Sequence, residues 1–417
     1  MKVNLSKKTL RINFKEVLLI GLIVLSIHFT EFKIGVVKLS EIILLLIPPI
    51  WYTKKINKWI SCFYLIFSAW LILSLLLNPL REFPPLFDLS KLKTPYLITI
   101  GRFLELIACV NLAALGHHYL KQKTKKQILF FVEKVVLTSF VFVSFNTIIY
   151  FMVVKGVLAD SGIVYNTSSS YPRLKGWFIE GGPYGLMLAF IFVLSFLYKS
   201  KYNFFIRVVI LLNIVFLAKS KSGILLLVFW GALIYYKIIY RKIKSLSILV
   251  ILLGGIVSIL SFAKLAEVYI DSNKNMEKYM KQRPNDTNIT MGRIAGSHIV
   301  PNMVRDNLMF GIGLGNYPIV RNNPKYRNFV PYTPNGKTDA HGLGGIVQIL
   351  VDGGFLLLFL FLAILYFLTK NILRLKNDLE IYVFVFLCFF LTGVQIYFLY
   401  PWFLLGVLIA LKDKKYE

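Results

Sequence analysis

The sequence predicts an all-α integral membrane protein of about twelve transmembrane helices, with a large external helical loop before the tenth. Three observations carry this. Hydrophobic residues make up 57% and charged residues only 16%, against about 25% charged in a soluble globule. Apolar runs of about 16–25 residues, long enough to cross a bilayer core as helix, recur from end to end. Lysines and arginines collect on every second connection between those runs, as the positive-inside rule requires. A soluble domain has no interior that could hide so many runs. The formal charge of +28 would suggest nucleic acid in a soluble chain. Its placement instead makes it a topology signal with some attraction to anionic lipid, so membrane lipid is an expected partner and nucleic acid is not.

The elements follow in order. Spans near 16–32, 36–52, 59–77, 95–118 and 127–154 make residues 1–154 an N-terminal transmembrane group. Residues 155–262 form a central group: an external loop, 155–181, then spans near 182–198, 204–218, 223–240 and 246–262. Residues 263–342 are the large external loop, and 343–417 hold the last spans, near 343–368, 380–397 and 400–411. Lys7, Lys8 and Arg11, then Lys54 and Lys55, Lys121–Lys126, Lys199 and Lys201, Arg241 and Lys242, Lys370 and Arg374, and Lys412–Lys415 then fall on one side. Both termini face the cytoplasm in this reading. The first run is no cleaved signal, because it lacks a small-residue cleavage site and a second run follows at once. Cys62, Cys109 and Cys388 lie in apolar runs, as core residues do, not as disulfides or metal ligands.

Two external stretches are too long to be mere connectors. In 263–281, Leu265, Val268, Tyr269, Ser272, Met276, Tyr279 and Met280 recur at three- and four-residue steps, one face of an amphipathic helix. Arg283-Pro284-Asn285-Asp286 breaks it. Thr290 is placed to cap a second helix, kinked at Pro301. The turn "GIGLG" (311–315) is not a nucleotide fingerprint, since no strand-to-helix context surrounds it. Inside the spans, Arg102 and Glu105 share a helix face. Ionised groups at that depth are costly and line a bundle interior. The pair reads as a structural ion pair, or more sharply as the wall of a sugar or lipid cavity.

Four segments carry a resemblance. "GRIAGSHIVPNMVRDNLMFGIGLGNY" followed by "AHGLGGIVQILVDGGFLLL" is similar to the O-antigen ligase and polymerase superfamily, with an arginine-bearing external helix, a glycine-rich turn and a histidine opening the next span. "YPRLKGWFIEGGPYGLML" and "FLAKSKSGILLLVF" resemble that family's arginine–glycine–aromatic segment and its short external turn. The resemblance covers roughly 165–370. The chain departs from the family pattern in having Lys219 and Lys221 where that turn usually carries arginine, Gly342 where asparagine is common, and Asp352 where glutamate is frequent. Lysine keeps the charge but lacks the planar two-pronged grip on phosphate oxygens.

The resemblance implies glycosyl transfer on the external face of a bacterial inner membrane. The implied donor is a glycan on undecaprenyl pyrophosphate, and no cofactor is implied. Cations stabilise the departing pyrophosphate, and a base helps the acceptor hydroxyl attack. His341 and Arg293 are the catalytic candidates; Lys221, Lys219, Arg173, Glu180 and Asp352 are the candidates for pyrophosphate or glycan binding. Each has a plainer alternative: His341 as an interfacial helix-start residue, Arg293 as a headgroup-solvated arginine, Glu180 as a cap. Arg305 reads as a solvated loop charge and His298 as a helix-face residue. No metal constellation is evident and a metal-independent mechanism is expected, with Glu82, Asp88 and Glu180 as the carboxylate alternative. The leading function is a repeat-unit polymerase, with a chain-length regulator as a possible partner. The alternative is the ligase that moves the finished chain to a lipid A core. A polyprenyl-sugar flippase ranks below both, because no repeat is evident and the polar mass lies on one side. The topology has a direct check. Cysteines placed in 163–170 and 322–337 should react with a membrane-impermeant thiol reagent added outside, and those in 121–126 and 241–245 should not; reversed labelling would put the candidate site in the cytosol.

Overall fold

The computed structural model describes residues 14–34, 37–47, 56–81, 83, 94–160, 162–166, 172–242, 275–333, 341–373 and 379–413. They are mostly helical. The first group is α1 (Phe14–His28), α2 (Leu39–Leu46), α3 (Lys58–Leu77), α4 (Pro95–Leu120) and α5 (Lys125–Val154). Next come α6 (Gly181–Leu194), α7 (Asn203–Leu212) running into a π turn at Asn213–Leu217, and α8 (Lys221–Lys242). The polar block folds as α9 (275–282), α10 (Thr287–Thr290), α11 (Gly292–Asp306), α12 (Tyr317–Val320) and α13 (Pro324–Arg327). The last are α14 (Gly345–Leu373), α15 (Leu379–Leu391) and α16 (Leu399–Asp413). Two short antiparallel ribbons interrupt the helices, β1 (Lys33–Ile34) with β2 (Val37–Lys38) and β3 (Val164–Asn166) with β4 (Pro172–Leu174).

Four helical stretches among the described residues are long and apolar enough to cross a membrane: Lys58–Leu80, Pro95–Leu120, Lys125–Val154 and Gly345–Leu368. Gly181–Leu194, Asn203–Leu217, Lys221–Tyr235 and Ile381–Leu391 are shorter apolar helices. All eight fall where the hydropathy reading places spans. The expected span 246–262 lies outside the described residues, as do Leu265, Val268, Tyr269 and Ser272.

The bundle is built around α16. Every residue from Leu399 to Leu411 is buried, as expected of a helix that is apolar all round. Gly406 allows the close approach of α4, since a Cβ there would stand 2.5 Å from the Ala113 carbonyl oxygen; small residues serve this purpose at membrane helix contacts. Trp402 packs edge-on against Phe63, Phe67 and Phe386, joining α3, α15 and α16. Its indole N–H donates to the Ile396 carbonyl at 3.0 Å.

Residues 275–333 have a core of their own. Met280, Ala295, Ile299, Met303, Ile312, Tyr317, Val320 and Val330 are buried together, with Val351 of α14. Met276 packs partly against this core, but Tyr279 is exposed. The expected apolar face is therefore narrower: positions four apart align, while Tyr279 is turned off the stripe. Thr290 does not cap α11. It closes the preceding turn, its hydroxyl donating to the Asp286 carbonyl at 2.8 Å, and the cap position falls to Met291. Pro301 lies within α11. In the stretch 322–337, Asn322 and Thr333 are buried and hydrogen-bonded to each other, so exposed Lys325 is the better labelling position there.

The expected span near 343–368 is present but contains a break. Residues 343–368 are not a single helix, because α14 breaks at Gly354 (φ 67°, ψ −171°), a conformation essentially confined to glycine. A Cβ at Gly354 would run into the Met309 carbonyl and the Phe310 amide. Gly354→Ala should therefore cost about 1–3 kcal/mol, read as a lower melting temperature in detergent. Gly101→Ala, in α4 with open space around it, should be neutral or slightly stabilising. Equal melting of Gly354→Ala and wild type would remove the break as a constraint.

Candidate functional site

The turn Gly311–Asn316 is buried between α3, α4 and the break in α14. Positive φ at Gly311, Gly313 and Gly315 lets it coil tightly. The Ile312 and Gly313 amides donate to the Val351 and Asp352 carbonyls at 2.9 and 3.0 Å. Thr99 donates to the Leu314 carbonyl at 3.1 Å, and the Asn316 side-chain amide donates to Asn78 at 3.2 Å. Arg81 donates to the Gly311 carbonyl at 3.0 Å and to Asn78 at 2.9 Å. Burial lowers the Arg81 pKa to about 10, with Asp352 acting in the opposite sense, so it remains a cation at neutral pH.

Asp352 lies behind this turn, only 2% exposed. Tyr397, in the α15–α16 connection, donates its hydroxyl to the carboxylate at 3.0 Å, and the Gly315 amide also faces it. Arg102 stacks its guanidinium over the Tyr397 ring, 4.8 Å from the centroid. The expected Arg102–Glu105 ion pair is present at 2.5 Å, and it extends through Lys38 to Glu41.

Arg293 and His341, separated by 47 intervening positions, are brought together. Arg293 begins the first turn of α11, and its Nε donates to the Gly342 carbonyl at 3.0 Å. Its guanidinium passes close to Gly393, where a Cβ would stand 2.9 Å from an Arg293 terminal nitrogen. The side chain is otherwise exposed. His341 is 4% exposed. Its Nδ1 accepts from the Leu343 amide at 3.1 Å, which makes Nε2 the protonated nitrogen of the neutral ring. Nε2 has no partner among the described residues. Tyr317 meets the ring edge-on, 5.3 Å between centroids. Gly296 leaves room for the loop, since a Cβ there would stand 2.5 Å from the His341 carbonyl oxygen. Burial holds the imidazole pKa down at about 4.

The other candidates form a second group at the start of α6 and α8. The π turn ends with the Ala218 amide on the Asn213 carbonyl and the Ser220 amide on Ile214. Lys219 follows with a left-handed φ of 50°. Arg173, on β4, donates to the Ala218 carbonyl at 3.0 and 3.1 Å and to the Lys219 carbonyl at 3.1 Å. Its fork therefore holds the turn. Ser220 is buried, accepts from the Gly223 amide at 3.1 Å and donates to the Gly182 carbonyl at 2.9 Å, which fixes the start of α8 against α6. The Lys219 and Lys221 side chains are exposed on this turn. Glu180 stands at the cap position of α6, exposed and without a side-chain cap bond.

Residues 206–362 match the family model described as O-antigen ligase. The match supports a likeness of that segment to the O-antigen ligase/polymerase superfamily. No curated protein matches the chain. Lys219, Lys221, Arg293, His341 and Asp352 lie inside the O-antigen ligase segment; Arg173 and Glu180 precede it. The match supports ligase- or polymerase-type function in general, in a membrane glycosyltransferase-like protein.

Among the described residues, no three His, Cys, Asp or Glu side chains stand together as a metal set. Glu82 and Asp88 lie outside the described residues. Arg305 is exposed and pairs with Asp306 at 3.2 Å. His298 packs edge-on against Phe329. Sequence reasoning passed over Tyr317, Gly393, Tyr397 and the buried Arg321, which donates to the Thr290 carbonyl at 2.8 Å. Tyr317 stood in the quoted turn motif; the others carried no signal, because they lie in apolar or unremarked loop sequence.

The buried neutral His341 has a pH consequence. Its folded pKa is depressed below the unfolded value of about 6.5, so the unfolded state binds the proton first as pH falls. Its contribution is fully present above about pH 6.5 and is lost progressively down to about 4. The loss is on the order of 3 kcal/mol at the acid end. Melts of wild type and His341→Gln between pH 7.5 and 4 should converge as pH falls. Parallel curves would mean that the ring is not held neutral.

Proposed function

We propose that the chain is a polysaccharide repeat-unit polymerase acting on the external side of a bacterial inner membrane, with both termini cytoplasmic. The donor is a glycan on undecaprenyl pyrophosphate, and the acceptor is a sugar hydroxyl of another lipid-linked unit. The observation that carries this reading is the bond from Arg293 of α11 to the carbonyl of Gly342, next to His341, with the His341 Nε2 unpartnered among the described residues.

In the step, the acceptor oxygen bonds to the anomeric carbon while the carbon–oxygen bond to pyrophosphate breaks. The acceptor proton passes to His341, and undecaprenyl pyrophosphate leaves with the bonding pair. In the tautomer of the structure the Nδ1 lone pair is already engaged by the Leu343 amide, and Nε2 is the N–H. Proton uptake at Nε2 therefore needs the other tautomer, which breaks the bond from the Leu343 amide when acceptor binds. A neutral imidazole is the form that can take a proton at pH 7, and its enclosure keeps water from competing as acceptor. Arg293 supplies a fixed cation beside that ring for the charge on the leaving group. Lys219 and Lys221, on a turn held by Arg173, supply point charges for the pyrophosphate. Glu180 stands beside them as a glycan contact. A chain-length regulator fits as the partner of such an enzyme.

The second reading, the ligase, shares the donor chemistry and differs in acceptor; it is the activity that the family description names. Cells carrying His341→Ala or Arg293→Ala distinguish the two. Loss of one general base costs about 10²–10⁴ in rate. A disabled polymerase should leave a single capped repeat unit in place of a ladder, whereas a disabled ligase should leave polymer on the carrier and none on the core. Arg293→Lys should retain little activity, while Lys221→Arg should be tolerated. Normal ladders from both alanine variants at wild-type protein levels would end the proposal.

A further inference from the structure

The segment between α11 and the glycine turn has an unusual composition of surroundings. Leu308, Met309 and Phe310 are 50%, 55% and 42% exposed, yet they follow directly on a charged group. Asp306 pairs with Arg305 at 3.2 Å and with Lys325 at 2.9 Å, and both cations are largely exposed. Polar surface thus gives way to apolar surface within two residues.

The backbone of this segment fills the break in α14. The Phe355 and Leu356 amides, which the break leaves without helical acceptors, donate to the Leu308 and Met309 carbonyls at 2.7 and 3.3 Å. The Val351 and Asp352 carbonyls on the other side are taken by Ile312 and Gly313. The exposed side chains of 308–310 therefore stand beside the first turn after the break. There they continue into Phe355, Leu356, Phe359 and Leu360, which are exposed on the long apolar half of α14. From 355 to 373 that half is about 28 Å long at 1.5 Å per residue, close to a bilayer core of about 30 Å.

We propose that Leu308–Met309–Phe310 is a membrane-inserted wedge, buried among lipid acyl chains of the leaflet on the Arg293–His341 side. Two independent features support that occupant over water or a protein partner. The apolar patch is continuous with the lipid-facing surface of a spanning helix. Its Leu308 and Met309 carbonyls are also taken by protein amides, as hydrocarbon demands of non-helical chain. The wedge leads straight into the glycine turn, so lipid grips the turn from one side while Asp352, Arg81 and Asn78 hold it from the other. This inference concerns the membrane interaction alone and stands whether the enzyme is a polymerase or a ligase.

The test places a single cysteine at Met309 or at Arg305 in a variant with Cys62, Cys109 and Cys388 replaced by alanine. Each is labelled with an environment-sensitive fluorophore and reconstituted in phosphatidylcholine vesicles. Met309→Cys should emit to the blue and be quenched several-fold more by 5-doxyl acyl chains than by aqueous iodide. Arg305→Cys should show the reverse order. Should the cysteine-free chain fail to fold, the native background serves, with the wild-type signal subtracted, because Cys109 is buried and Cys62 and Cys388 are half-buried. Iodide quenching at Met309 as strong as at Arg305 would place the segment in water and overturn the proposal. Protection from both quenchers would overturn it too, by showing a protein partner on the patch.

Discussion

A transmembrane helix can break only if the polar groups it frees find partners in protein, because hydrocarbon offers none. The break at Gly354 sets that requirement for this fold, and residues 308–313 meet it with four backbone hydrogen bonds, two on each side of the gap. Much else follows. The glycines at 311, 313 and 315 adopt left-handed backbone so that the turn can reach the gap. The turn in turn brings α11 to the start of α14, where Arg293 meets the loop after His341. The meeting of the two candidate catalytic residues thus depends on a backbone repair close to Asp352.

The same region concentrates charge. Asp352, Glu105 and Glu41 face Arg81, Arg102 and Lys38, linked through Tyr397 and the ion pairs of α2 and α4. Three carboxyl groups stand among three cations, and such mutual pairing is the condition under which buried charge is tolerable. Such a cluster is weak support for stability, since desolvation offsets most of the attraction. Its geometric effect is clearer. Asp352 binds the hydroxyl of Tyr397 and faces the amide of Gly315, so the α15–α16 connection and the glycine turn share one anchor. The same connection carries Gly393 past Arg293.

The eight apolar helices that match expected spans were legible because burying a helix in lipid needs only length and apolarity, and both are written in consecutive residues. The existence of α11 and of the turn after it was legible from local chemistry. Depth was not. Nothing in the periodicity of "LMFGIGLGNY" says whether it lies in water or fills a gap in a helix, because that is decided by residues forty positions away. Asp352 was grouped with substrate-binding residues because it follows His341 at about the family spacing. Its neighbours Tyr397, Arg81 and Arg102 come from three other segments that the spacing cannot reveal. Gly354, one of a pair of glycines in an apolar run, gave no sign that the helix ends and restarts there. Thr290 illustrates the local version of the problem: the residue type suits a cap, but the backbone had already used it to close the preceding turn.

The lysines at 219 and 221 gain a reason from Arg173. A guanidinium is the better partner for a planar pair of oxygens, and Arg173 uses that fork on the carbonyls of Ala218 and Lys219. Those carbonyls end a π turn, where helical partners run out, and the next residue already sits in left-handed backbone. A cation fixed there cannot also swing out to follow a departing phosphate. Under the proposed function, the exposed ammonium group of Lys221 suits that task, because it is a point charge on a flexible stem. Ser220 itself is locked between α6 and α8, which fixes where both lysine stems begin. Under the proposed function, the arginine provides the geometry of the turn and the lysines provide the charge.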